Sequence, residues 1–225
     1  MLRFFNNKIM KKKFTKKELP TELPVFPLSN AIFFPNTLLP LNIFEPRYKQ
    51  MTEHAIENDN MIGMVQSVQN KDLNKNDIYN IGCVGFIEYH SNTPDGRYLI
   101  NLKGITRFNI EKEIKTENLY RTFAINYNGF EKDLENEEVL KIDTLNLIEK
   151  TKKLFNKHQL STNWKIVEKV EPAQLINSLS MICPFTISEK QRLLETMSIK
   201  ERNDVLNQII NFYILGNNEN NQNIH

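Results

Sequence analysis

Cysteine is nearly absent from this 225-residue chain, with only Cys83 and Cys183, far apart and in apolar settings. Two thiols allow one bridge at most, and neither stands in a C-x-x-C pair suited to metal or redox chemistry. They read as reduced, buried side chains of a cytoplasmic protein, because free cysteine is among the most buried residue types. Long apolar runs are lacking too. No stretch reaches the roughly 18 continuous apolar residues of a membrane span. The opening MLRFFNNKIMKKKFTKK is basic but has no uninterrupted apolar core and no small-residue cleavage site, so it does not read as a secretory signal. Glycine is scarce: six of the seven lie between residues 23 and 130, and none lies between 131 and 215. No G-x-x-x-x-G-K-[ST] is present to cradle a nucleotide; Lys103-Gly104 has its residues reversed inside a candidate strand.

Charge of one sign is also missing, although unevenly. Residues 1–22 hold seven Lys/Arg against Glu18 and Glu22, leaving 22 bases and 25 acids elsewhere out of totals of 29 and 27. The body is therefore faintly acidic, which argues against a general nucleic-acid binder. The first 22 residues read as a basic, disordered tail. Leu2, Phe5 and Ile9 near helical spacing offer the alternative of contact with an anionic membrane surface. Met10 is a second possible start.

What is present is concentrated between Leu23 and Tyr48, LPVFPLSNAIFFPNTLLPLNIFEPRY. Five prolines stand among apolar residues, and proline fixes φ and removes a backbone donor. The stretch therefore reads as short extended pieces (Val25-Phe26, Ile32 to Phe34, Leu38 to Leu41) and not as a central strand. So much apolar surface in irregular backbone is either core or a groove for another chain.

The chain changes character near residue 130, which marks a boundary. The first part reads as about six strands with one inserted helix. Pro46 opens that helix, with Tyr48, Met51, Ala55 and Ile56 as its apolar stripe. Met61 to Val68 and Ile81 to Tyr89 read as strands. Thr93-Pro94-Asp95-Gly96 reads as a hairpin turn followed by alternating Tyr98, Ile100 and Leu102. Gly104 reads as a bulge or bend, and Phe123, Ile125 and Tyr127 as a last half-buried strand. Closure into a barrel would protect the edges. The second part reads as helical. One long helix is expected from about Leu134 to Lys157, with Leu140, Leu145, Leu147, Ile148, Leu154 and Phe155 as its stripe and Glu137–Lys141 and Glu149–Lys153 outside. Pro172 and Pro184 bracket another helix. Capping boxes at Ser188/Gln191 and Ser198/Glu201 start two more. The resulting organisation is a tail (1–22), a β-rich part (23–130), a helical part (131–216) and a polar tail (217–225).

Five segments together resemble a known family. They are LPVFPL at Leu23–Leu28, FPNTLLPLNIFEPRY at Phe34–Tyr48, IGCVGFIE at Ile81–Glu88, DGRYLINLKGITRF at Asp95–Phe108 and PFTISEKQRLLE at Pro184–Glu195. The chain resembles the N-terminal substrate-binding domain of the Lon family of ATP-dependent proteases, in its small stand-alone form. The resemblance implies an α+β fold, a PUA-like β-barrel followed by a C-terminal helical bundle. It also implies recognition of unfolded or damaged polypeptides beside a separate ATP-dependent protease, without ATPase or protease activity and without a cofactor. The alternative is RNA binding, which PUA-like barrels commonly serve; the faintly acidic body argues against it.

Phe33, Phe34, Leu38, Leu39, Ile43 and Phe44 are the candidate polypeptide-binding residues, with core packing as the alternative. Strand alternation cannot bury both Phe33 and Phe34 on one side, nor both Leu38 and Leu39, so part of the set is expected to cover the helices or lie exposed. The capture surface is expected in a cleft between barrel and bundle. Glu45, Arg47, Asp95, Arg97 and Arg107 are the candidate polar anchor, or else structural pairs. Among His54, His90, His158 and His225 no metal-type spacing occurs. A Cys83–His90 nucleophile is conceivable, but Cys83 falls in a buried-strand pattern with nothing to lower its pKa.

Overall fold

The computed structural model describes residues 14–29, 31–68, 78–135 and 142–216. The chain forms two compact units, one within residues 8–137 and one from residue 138 onward. The first contains β1 (Glu22–Leu28), β2 (Leu38–Ile43), α1 (Pro46–Glu57), β3 (Met61–Gln66), β4 (Ile81–Asn92), β5 (Tyr98–Ile114) and β6 (Arg121–Asn126). The second contains α2 (Thr144–Lys157), α3 (Trp164–Val167), α4 (Pro172–Ile182), α5 (Ile187–Glu195) and α6 (Ile199–Leu215).

The six strands form one mixed sheet in the order β2-β5-β4-β3-β1-β6, and β6 also pairs with β5. Five strands therefore close a ring, and β2 hangs outside it on β5. The length of β5 makes this possible. Tyr98–Lys103 pairs with β2, while Asn109–Ile114 pairs with β6. Between them β5 places two residues, Ile105 and Thr106, opposite Val84 alone, a bulge that bends the strand beside Gly104. The ring encloses a core that includes Leu23, Val25, Met61, Val84, Phe108 and Ile125.

The prolines of β1 do not keep it from a central place, contrary to the sequence-based expectation. Its first half pairs antiparallel with β6 and its second half parallel with β3, overlapping only at Val25. The carbonyl of Thr21 accepts from Ile125 and that of Leu28 from Ser67, which fixes the direction in which each residue points. By alternation the nitrogen of Pro24 points toward β3 before that pairing begins. The nitrogen of Pro27 points toward β6 after that pairing has ended. Neither ladder loses a donor. Pro40 is tolerated for the simpler reason that β2 is an edge strand. Ile32 to Phe34 forms no strand.

The basic tail is shorter than expected. Phe14 and Leu19 are buried against the ring core, and Lys16–Glu18 forms a 3-10 turn. The membrane-contact reading of Leu2, Phe5 and Ile9, and the polar tail 217–225, lie outside the described residues.

Helix α1 starts as anticipated, with Pro46 in its first turn, and buries Tyr48, Met51 and Ala55. The long helix expected from Leu134 does not form as such. Glu131–Leu134 is a 3-10 turn, and α2 begins after Asp143, whose carboxylate accepts from the N–H of Asn146. Leu140 and the Glu137–Lys141 pair lie outside the described residues. Leu145, expected in the stripe, is 72% exposed. It precedes Leu147 by two residues, about 200° of helical rotation, and so points away from the buried Leu147, Ile148, Leu154 and Phe155. In α5 the cap is Thr186 with Glu189 and not Ser188 with Gln191. A carboxylate accepts the cap N–H more strongly than an amide does, and Gln191 is instead buried against Glu195. Ser198 caps α6 through the N–H of Glu201, whose carboxylate reaches back to the N–H of Met197.

Candidate functional site

The segment 33–44 comes from a turn followed by an edge strand. Pro35 and Asn36, the latter at φ 58°, make a tight turn in which Phe34 O accepts from the Thr37 hydroxyl at 2.6 Å. Proline followed by a residue at positive φ is the signature of a type II turn. The turn lies on Gly104: Asn36 N–H donates to Gly104 O and Gly104 N–H to Thr37 O, each at 2.9 Å. A Cβ on Gly104 would come within 2.0 Å of Phe34 O, so only glycine admits this approach.

Phe33 and Phe34 lie in irregular backbone leading into this turn, so strand alternation does not separate them, and both are buried. Alternation therefore gives no reason for either member of this pair to cover the helices or lie exposed. Leu38, Leu39 and Ile43 are buried as well, whereas Phe44 is 62% exposed. Of the six apolar candidates, then, the structure leaves Phe44 open to a partner.

The five charged candidates fall into three ion pairs. Glu45 and Arg47 pair with each other at 2.8 Å on the surface, and the Arg47 guanidinium lies 4.5 Å from the Tyr48 ring centre. Burial raises the Tyr48 hydroxyl above its ordinary value, against the lowering effect of Arg47. Asp95 and Arg97 pair at 2.7 Å, both about half exposed, and a hydrogen bond from Thr93, assisted by Arg97, holds the Asp95 carboxyl below its ordinary value. Arg107 is different. It is buried and grips Asp133 at 2.8 Å, with its guanidinium 4.3 Å from the Phe130 ring centre. Sequence reasoning missed Asp133, since nothing local ties residue 133 to a strand 26 residues earlier.

Among the described residues the remaining candidates form no chemical centre. His54 Nδ1 meets the Tyr120 hydroxyl at 2.8 Å. His90 and His158 are exposed, and His225 lies outside the described residues. Among the described residues no group of three His, Cys, Asp or Glu side chains could hold a metal. Cys83 is fully buried, and His90 is exposed seven residues along β4, about 23 Å away at ~3.3 Å per residue. They are not brought together. Burial likewise pushes the Cys183 thiol far up. Among the described residues no helix is long and apolar enough to cross a membrane.

Sequence reasoning also missed an apolar row next to Phe44. Register pairs Pro40, Asn101 and Tyr89 across three strands, then Asn42, Leu99 and Ser91 on the next same-face rung. Tyr89 (55% exposed), Leu99 (41%) and Phe44 (62%) therefore run diagonally over β4, β5 and the end of β2. Diagonal neighbours in a sheet lie about 7–8 Å apart, within reach of side chains this large. The opposite face carries the buried Leu39, Ile100 and Leu102. The signal was available: once Tyr98, Ile100 and Leu102 are read as one face, Leu99 must stand on the other.

The fold is that of Lon N-terminal domains. A solved Lon N-terminal domain protein from Xanthomonas campestris superposes with a TM-score of 0.60 at 18% identity, covering 84% of this chain and 98% of that one. The N-terminal domain of a Mycobacterium avium complex Lon protease gives 0.55 at 16%, covering 84% and 98%. The sequence agrees. Residues 22–211 match the ATP-dependent protease La (LON) substrate-binding domain, and the chain belongs to that family. Lon protease of Brevibacillus choshinensis is 30% identical over 193 residues, covering 84% of this chain and 25% of that protein. Lon protease of Dictyoglomus thermophilum is 28% identical over 188 residues, covering 83% and 24%. The chain thus spans about a quarter of the length of these relatives.

Proposed function

We propose that this protein is a cytoplasmic, non-enzymatic module that binds unfolded or damaged polypeptides and serves a separate ATP-dependent protease. The closed ring of strands acts as a PUA-like barrel that displays the binding surface, and the helices form a bundle beside it in sequence. The observation that carries this reading is the exposed Tyr89–Leu99–Phe44 row on a member of a substrate-binding family. Unfolded chains share extended apolar segments and little sequence, and an apolar row asks for nothing more specific. Three side chains of this kind give affinity of about micromolar order, strengthened when one guest offers several segments.

The test is fluorescence anisotropy with a labelled, reduced and carboxymethylated protein and with the same protein in its native state. Saturable binding of the unfolded form alone supports the reading. Equal binding of both forms, or of neither, defeats it.

A further inference from the structure

We propose that an extended segment of the guest polypeptide adds to the outer edge of β2 as a further strand, its side chains on one face lying beside Phe44. This rests on the polypeptide-binding reading and says how the guest is held. Among the described residues, β2 pairs on one side with β5 and no strand pairs on the other. The bond from Gly104 N–H to Thr37 O fixes which way the β2 residues point. By alternation Leu39, Leu41 and Ile43 direct their backbone groups to β5, and Leu38, Pro40 and Asn42 direct theirs outward. Leu38 is buried, so the edge offers the N–H group of Asn42 and the carbonyls of Pro40 and Asn42.

Protein edges of this kind are ordinarily blunted by charge or by proline; the six residues of β2, LLPLNI, contain no charge, and Pro40 interrupts the edge at one outward position, leaving Asn42 free to donate. The diagonal apolar row reaches this same edge, since Phe44 directly follows β2. Main-chain bonds along an edge give affinity without sequence demand, and contacts at alternate side chains add preference. The guest chemistry follows from the flanking charges. Glu45–Arg47 and Asp95–Arg97 are each neutralised internally, so neither sign is attracted and the guest segment is uncharged and apolar on one face. Pro40 argues against a second copy of this chain as the occupant. Symmetric antiparallel pairing centred on residue 40 would set two prolines opposite each other, with no donor on either side.

The experiment uses a short fluorescein-labelled peptide in which Val and Phe alternate with Ser and Thr, followed by anisotropy with the full chain. Asn42→Pro removes one outward donor and is expected to weaken binding by about tenfold, the worth of one good hydrogen bond. Pro40→Thr supplies the donor that β2 lacks and is expected to tighten binding by a similar factor. Circular dichroism establishes that each variant is folded, and Pro40→Thr decides the matter if Asn42→Pro is not. Unchanged affinity in both folded variants, with the parent peptide still bound, overturns strand addition and leaves apolar capture standing. No binding of the peptide or of the unfolded protein defeats the underlying reading. A stable dimer of the unaltered chain in sedimentation, dispersed by Asn42→Pro, replaces the guest by a second copy and overturns the proposal.

Discussion

Arg107 holds Asp133 through three hydrogen bonds: its backbone N–H at 3.0 Å, Nε at 2.8 Å and Nη2 at 2.8 Å. Arg107 lies on β5, the strand that both closes the ring and carries β2. Asp133 lies on the short 3-10 turn after Phe130. The pair therefore ties the end of the first unit to the strand on which its architecture turns. Its side chains are 3% and 10% exposed, so the charges are shielded from water and their geometry decides their worth.

Asp133→Ala is expected to lower the unfolding free energy by about 3–5 kcal/mol, because it leaves the guanidinium buried without its carboxylate. Replacing both partners with apolar residues, as in Arg107→Met with Asp133→Leu, is expected to cost clearly less. Urea denaturation of the three proteins checks this. A double variant as unstable as Asp133→Ala would show that the bond network, and not the stranded charge, sets the cost.

Gly104→Ala provides an independent prediction about the same strand. The added Cβ would meet the backbone of Phe34 and Pro35, at 2.0 Å from Phe34 O and 3.1 Å from Pro35 Cα, and a backbone turn cannot move aside as a flexible side chain can. A loss of about 1–3 kcal/mol or more is expected, the range for overpacking. Gly96→Ala, in the open hairpin turn at φ 75°, is expected to lose about 1–2 kcal/mol from backbone strain alone. The first loss comes from packing and the second from a backbone dihedral. Amide exchange should show turn 34–37 loosened in the first variant and unaffected in the second.

Local signals in this chain were legible and non-local ones were not. Pro46 and Pro172 announced helix starts, and Thr93-Pro94-Asp95-Gly96 announced its turn, because each depends on dihedral preferences of adjacent residues. The two-sided pairing of β1 was hidden, since it depends on where β3 and β6 begin and end. The start of α2 was misplaced because apolar spacing continues through residues 134–147 while the cap is set by Asp143. The Thr186 cap was missed because two overlapping capping sequences exist, and the choice depends on Gln191 being buried against Glu195 while Glu189 stays free to cap.

Acid sensitivity of one surface pair follows from the Glu113 environment. A hydrogen bond from Arg121 holds the Glu113 carboxyl below its ordinary value of 4.5. A depressed carboxylate stabilises the fold fully above its unfolded value, and that contribution is lost as pH falls through the folded one. The stability difference between the protein and Glu113→Gln is therefore expected to be constant near pH 7 and to vanish as pH falls through the lowered folded-state value. Thermal melts of both across that range check it, and a difference that grows on acidification contradicts the assignment. Both side chains are substantially exposed, so the effect is small and should weaken with salt.

The site was half legible for a physical reason: density of apolar residues marks a segment that avoids water, without saying where the water is. Phe33 and Phe44 have equal hydrophobicity and similar neighbours, yet one is 1% and the other 62% exposed. Only the turn at Pro35-Asn36 and the end of β2 separate their fates. Tyr89 was overlooked because it stands alone between Glu88 and His90, and Leu99 because it lies between Tyr98 and Ile100 of the other face; register alone aligns them with Phe44.

That contrast yields the prediction most directly tied to function. Phe33→Ala removes a buried ring and is expected to cost about 3–5 kcal/mol of stability. Phe44→Ser is expected to change stability by less than about 0.5 kcal/mol, as exposed substitutions do, while weakening capture of a carboxymethylated unfolded protein. Leu99→Ser should behave like Phe44→Ser. The double variant should bind more weakly than either, because diagonal neighbours present one continuous surface. Denaturation curves and anisotropy titrations on the same preparations separate the two roles. Should Phe44→Ser and Leu99→Ser bind unfolded protein as tightly as the parent, the row is ordinary surface and capture happens elsewhere on the chain.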